Sequence, residues 1–219
     1  LVRSRGLGDV YKRQDKTVVY PFGRGLSYTT FTQSLNSVTE ADGTITVDVT
    51  VTNTGSASGK EVVEVYYNPP YTNGGIEKAS ANLIGFAKTS ELAPGASENV
   101  TVTFKAEDMA SYDTYGKGCY VLEKGDYVIS INADSHTVLD SKTYNVASTI
   151  VYDESNPRST DAEAATTKFD FADDKLVTLS RADHFANYAE AVAAPSDYTM
   201  SEESMSTLYN DHNLSLIHI

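Results

Sequence analysis

Cysteine is almost absent from this chain. The single Cys119 rules out an internal disulfide framework and a cysteine-rich zinc site. Its place in the run CYVLE reads as strand, which makes it a small core residue rather than a nucleophile. Basic residues are scarce as well: the chain has 30 acidic and 17 basic side chains. Arg3, Arg5, Lys12 and Arg13 lie with Asp9 at the start, and without that segment 29 acidic face 13 basic residues, a net charge of −16. So negative a surface repels phosphate backbones and anionic lipid. It disfavours nucleic acid and membranes as partners and permits neutral ones such as sugars. No apolar run approaches the roughly 20 residues of a transmembrane helix. Gly23 and Gly25 flank Arg24, but Tyr28 stands where a dinucleotide loop needs its third glycine. His136, His184 and His212 have no partner pattern for a nucleophilic triad. Asp173-Asp174 and Asp183-His184 lack a third ligand at metal-site spacing, and adjacent residues on a strand point apart. None of these patterns makes a triad, a dinucleotide loop or a metal site, so no cofactor-binding or metal-ligating residue and no cofactor is expected.

What is present is alternation. In Thr44–Thr52, Ile45, Val47, Val49 and Val51 alternate with Thr46, Asp48, Thr50 and Thr52, which places four branched apolar groups on one face of a strand. Asn53 to Gly59 reads as a polar turn, and Val63, Val65 and Tyr67 resume the pattern, with Val62 and Tyr66 on the opposite face. The spacing predicts a β hairpin whose apolar face a second sheet must cover. Further strands are expected near 32–38, 60–68, 83–89, 99–105, 119–123, 126–133 and 137–146. Pro94-Gly95 and Gly125-Asp126 supply turns. Many short strands at short intervals imply an all-β sandwich. The loop Pro69–Ala81, with two prolines and Gly74-Gly75, cannot continue a sheet. It reads as a solvated crossover, with a place at a substrate cleft or subunit interface as the alternative, Tyr71 and Ile76 being its apolar contacts. Residues 152–168 are acidic and poor in large apolar groups, as an extended connector would be. Ser201 ahead of Glu202 and Glu203 predicts a short helix. Asn99-Val100-Thr101 is a glycosylation sequon, which matters only in a eukaryotic secretory setting. The fifteen tyrosines could form a carbohydrate platform, but packing is the simpler use.

Tyr20, Pro21, Phe22, Gly23, Gly25, Leu26, Ser27, Tyr28 and Phe31 match the pattern Y-P-F-G-x-G-L-S-Y-T-x-F. It resembles the segment of family 3 glycoside hydrolases that leaves the catalytic α/β sandwich and enters a fibronectin type III-like domain. ELAPGASENVTVTF and VLEKGDYVISI resemble the paired signatures of that immunoglobulin-like module, with Tyr127 in the tyrosine-corner position. FDFADDKLVTLSRAD resembles the junction of circularly permuted members, in which the barrel follows the fibronectin-like domain. LVRSRGLGDVYKRQ and LSLIHI at the two ends resemble translated sequencing-adapter sequence and are set aside. The expected organisation is therefore an adapter-like segment at 1–14, the tail of an upstream α/β domain at 15–31 and the fibronectin-like sandwich at 32–147. A linker at 148–168, a lead into a barrel at 169–213 and a second adapter-like segment at 214–219 complete it.

The resemblance implies a β-glucosidase-like parent that hydrolyses O-glycosyl bonds with an aspartate nucleophile on the barrel and a glutamate acid/base on the α/β sandwich. The nucleophile's Ser-Asp-Trp motif cannot occur here, because the chain has no tryptophan. This piece is expected to be a non-catalytic scaffold. Its parent would meet a glucoside or oligosaccharide through catalytic domains on which the sandwich packs. The alternative is a free-standing β sandwich that binds carbohydrate or a protein partner on a bacterial surface. Compartment, sugar and linkage stay open.

Overall fold

In the computed structural model, which describes residues 19–166, 177–193 and 200–207, the alternating run becomes a central strand. β1 (Phe31–Ala41) and β2 (Thr44–Asn53) form an antiparallel hairpin, closed where Asp42 and Gly43 both adopt positive φ, as a tight two-residue turn requires. β2 also pairs along its length with β5 (Ser97–Lys105), giving a three-stranded sheet in the order β1-β2-β5. β3 (Val62–Asn68) lies in the other sheet. There it sits between β4 (Asn82–Lys88) and β8 (Gly125–Asp134), with β9 (Thr137–Val146) at the edge. The hairpin expected between the second and third strands is thus an arch between sheets. Both edges of β2 are already taken, by β1 and β5, so β3 cannot pair with it.

The inner faces meet as the alternation requires. Ile45, Val47, Val49 and Val51 from β2, Val63 and Val65 from β3, and Ile129 and Ile131 from β8 are wholly buried, with Val100, Val102 and Phe104 beside them. Tyr127 is buried in this core, and its hydroxyl donates to the Glu123 carbonyl at 3.1 Å, the bond expected of a tyrosine corner. β1 meets β9 at one margin, where the Leu35 amide donates to Asp140 Oδ2 at 3.1 Å and Lys142 Nζ to the Asn36 carbonyl at 3.0 Å. Asn36 is the extra residue of a β-bulge in β1.

A third, small sheet was not foreseen: β6 (Ser111–Tyr112), β7 (Tyr120–Leu122) and β10 (Ile150–Tyr152), in the order β10-β7-β6. β7 falls where a strand was expected at 119–123, whereas β6 and β10 carry too little alternation to stand out in a sequence. Cys119 precedes β7 instead of lying on a strand, and it is buried. Beyond β10 the polar stretch lies along the sandwich: Arg158 stacks 3.7 Å from the Tyr120 ring centre, and the Ser159 amide donates to Glu107 Oε2 at 3.0 Å. The expected short helix is present at 202–207, with Ser201 Oγ accepting from the Ser204 amide at 3.1 Å, an N-cap. The expectations for residues 1–14 and 214–219, for Asp173-Asp174 and His212, and for the 169–176 part of FDFADDKLVTLSRAD fall outside the described residues.

Candidate functional site

Two stretches that stood apart in the sequence come together at one end of the sandwich. The loop Pro69–Ala81 begins where β3 runs into two prolines, neither of which can donate to a ladder. Its shape is held by Lys78, whose side chain is 2% exposed. The Lys78 ammonium donates to the Pro70 carbonyl at 2.6 Å and pairs with Glu123 in the turn that follows β7. A lysine this buried is retained only if paired and hydrogen-bonded, and both conditions are met.

Glu77, beside it, receives the downstream segment. Its Oε1 accepts from Ser180 Oγ at 2.5 Å and Tyr71 OH at 3.2 Å, and its Oε2 from the Arg181 amide at 2.9 Å. The Arg181 guanidinium lies 4.3 Å from the Tyr71 ring centre and donates to the Lys78 carbonyl at 3.2 Å. Asn73 Nδ2 donates to Asp183 Oδ1 at 3.1 Å. Burial raises the Tyr71 hydroxyl above its ordinary value, and the Glu77 charge adds to the rise. The loop is therefore more than a solvated crossover: it seats the residues Leu179–Asp183. Nothing in the sequence singled out Glu77 or Lys78, since a charged residue in a polar loop carries no periodic signal.

A cavity of about 490 Å³ opens between this loop, the turn 112–117, β7, β10 and Leu179. Three carboxylates line it, and each has a partner within the chain. Glu77 and Glu123 bond as described, and Asp113 accepts from the Gly116 and Lys117 amides at 3.0 and 2.8 Å. Asp183 and His184 both take positive φ, and no group of three or more His, Cys, Asp or Glu with metal-site geometry occurs among the described residues.

At the other approach to the sandwich, residues 19–30 are fixed by hydrogen bonds of both backbone and side chains. The Ser135 amide donates to the Phe22 carbonyl at 2.8 Å, the Thr54 amide to the Thr30 carbonyl at 2.8 Å, and Thr29 Oγ1 to Asn53 Oδ1 at 2.7 Å. Its apolar side chains point outward: Tyr20, Phe22, Leu26 and Tyr28 are exposed by 68 to 102%. The arm is ordered against the sandwich, but these four groups do not cover it.

A family profile described as a fibronectin type III-like domain matches residues 61–135. Beta-glucosidase A of Butyrivibrio fibrisolvens is 39% identical over 156 residues, which is 63% of this chain and 19% of that protein. Among solved structures, a β-glucosidase from Paenibacillus barengoltzii matches with a TM-score of 0.57 at 39% identity, over 62% of this chain and 16% of the other. The Kluyveromyces marxianus β-glucosidase in complex with glucose matches with a TM-score of 0.60 at 31% identity, over 66% of this chain and 17% of the other. The chain spans between 15 and 19% of the length of the first curated relatives it matches. It contains a fibronectin type III-like β sandwich, and the resemblance to family 3 β-glucosidases that its motifs carry is borne out.

Proposed function

We propose that this chain is the non-catalytic, fibronectin type III-like portion of a family 3, β-glucosidase-like enzyme that hydrolyses O-glycosyl bonds of β-glucosides or related oligosaccharides. The observation that carries the reading is the similarity to β-glucosidases, which runs through the sandwich and takes in well over half of the chain. The site geometry supports a structural role. The carboxylates that line the large cavity hold backbone amides, a lysine and a neighbouring segment, whereas a glycosidase needs one carboxyl free to give a proton and another free to attack or to activate water. Glu77 joins the loop to Leu179–Asp183, the stretch that resembles the permuted junction, so the sandwich sets the direction in which a downstream domain leaves. The outward apolar groups of 19–30 suit packing on an upstream catalytic domain. In this organisation 15–31 ends the upstream domain, 32–147 is the sandwich, 148–168 links it onward after adding β10 to the small sheet, and 169–213 leads into the barrel.

Two measurements test this. The purified chain should give no turnover of an aryl β-glucoside above blank, and clear turnover overturns the scaffold role. Genomic sequence on either side should encode an α/β sandwich upstream and a barrel with a Ser-Asp-Trp motif downstream. Repeated β sandwiches or a surface anchor there would overturn the parentage.

A further inference from the structure

The outer face of the four-stranded sheet, turned away from the core, should be polar and wet, yet Tyr66, Ser130 and Asn132 on it are only 3, 7 and 2% exposed. Strand register explains how they gather. Tyr66 on β3 pairs with Ser130 on β8, which pairs with Ser141 on β9. In neighbouring rows Asn68 pairs with Val128, and Asn132 with Val138. With Ser80 from the end of the loop and Ser135 and His136 from the β8–β9 turn, these residues line an open cavity of about 350 Å³. That is near the lower end of the roughly 300–1,000 Å³ typical of small-molecule sites.

Three of the residues that line this cavity each carry a buried polar atom with no hydrogen-bond partner: Asn68 Oδ1, Asn132 Oδ1 and His136 Nε2. Only one other such side-chain atom, Gln33 Oε1, occurs among the described residues. Buried polar groups are normally satisfied, so a cluster of orphans in a cavity implies something that fills it. The lining states the chemistry. It contains no Asp, Glu, Lys or Arg, and the carboxylates behind it are already engaged, Glu64 by the Tyr66 hydroxyl and Asp134 by the His136 amide, so no cationic group meets an anion and no free carboxylate meets a cation. Turning either amide over exchanges its acceptor for a donor, and the serine hydroxyls both give and accept, so the complement must also do both. Val128, Val138, Ala81 and the Tyr66 ring add an apolar wall.

We propose that this cavity binds one ring-sized unit of a neutral polyhydroxylated ligand, a sugar, with its hydroxyls on Asn68, Asn132 and His136 and its C–H face on Val128 and Val138. The site is non-catalytic, lies wholly on this chain, and does not depend on the parent's activity.

The test is a titration of the full 15N-labelled chain with methyl β-D-glucopyranoside, followed by amide chemical shifts. The expected result is saturable shifts confined to residues around Asn68, Ser130, Asn132, Ser135 and His136, with a dissociation constant of about 1–10 mM. His136→Ala, in a turn where folding tolerates it, should weaken binding by about fivefold or more, and Asn132→Ala should do the same if its spectrum stays dispersed. Glycerol should need a higher concentration for the same shifts. The proposal is overturned by shifts that do not saturate at about 100 mM, by shifts spread over the surface, by an unchanged midpoint in folded His136→Ala, or by glycerol acting at the same concentration as the glucoside.

Discussion

Asn53 is wholly buried, and its amide makes a four-way staple. Oδ1 accepts from Thr29 Oγ1 at 2.7 Å and the Gly55 amide at 3.1 Å, while Nδ2 donates to the carbonyls of Ala57 and Leu92, both at 2.8 Å. Alanine here leaves several buried groups unsatisfied, so Asn53→Ala should cost about 3 kcal/mol, read as a lower urea midpoint. A cost of a few tenths would mean that water replaces the amide. Tyr127 separates packing from hydrogen bonding. Burial pushes its hydroxyl well above the ordinary tyrosine value, and that hydroxyl makes one bond, to Glu123. Tyr127→Phe should therefore lose about 1 kcal/mol, whereas Tyr127→Ala should lose about 3–5 kcal/mol. Equal losses for the two would contradict this division. Asn53 was legible only as a turn residue, because a sequence shows that an amide is polar but not that four partners from four directions meet it.

At the scale of elements, the loop Pro69–Ala81 and the segment Leu179–Asp183 form one unit through Glu77. Removing the carboxylate should release the segment and leave the sandwich intact. In Glu77→Ala, hydrogen exchange at the Arg181 amide should quicken by about tenfold or more, while Val49 and Ile131 keep their protection. Unchanged exchange at Arg181 would show that stacking on Tyr71 suffices. The arm before β1 behaves in the opposite way. Phe22 and Leu26 touch too little of the chain to stabilise it, so Phe22→Ser with Leu26→Ser should change unfolding free energy by no more than about 0.5 kcal/mol, measured by denaturant melts. A loss of several kcal/mol would place those side chains inside the fold. The seven longer strands were legible, β2, β3, β5 and β8 most clearly through the period-two signal. The arch between β2 and β3 was not, although Asp42-Gly43 is the stronger hairpin signal and correctly closes β1 on β2.

For the whole molecule, three partly buried carboxylates contribute to the response to pH in opposite directions. Burial raises Glu61 above the ordinary 4.5, against a hydrogen bond from Gln33 that lowers it, and burial likewise raises Glu64 against one from Tyr66. A raised value means that the folded chain holds the proton more tightly than the unfolded one. Their contribution is present below pH 4.5 and is lost as pH climbs through the raised values. Glu107 runs the other way. Its burial is outweighed by hydrogen bonds from Ser159 and by Lys105, so its contribution is present above 4.5 and is lost as pH falls through the lowered value. Glu61→Gln with Glu64→Gln should therefore flatten the decline in unfolding midpoint between acid and neutral pH, and Glu107→Gln should cost more at neutral than at acid pH. A double variant that declines as steeply as the parent chain would refute the first. By itself, the sequence determined the all-β class, most strands and the strongly acidic charge, because period-two alternation and charge are local or additive properties. Its resemblance to fibronectin-like modules pointed to the Tyr127 corner. Only the tertiary structure decided which strand pairs with which, that Glu77 seats Leu179–Asp183, and that Asn68, Asn132 and His136 share one cavity. Each of these depends on strand register and sheet crossing, which bring together residues far apart in the chain and leave no local trace.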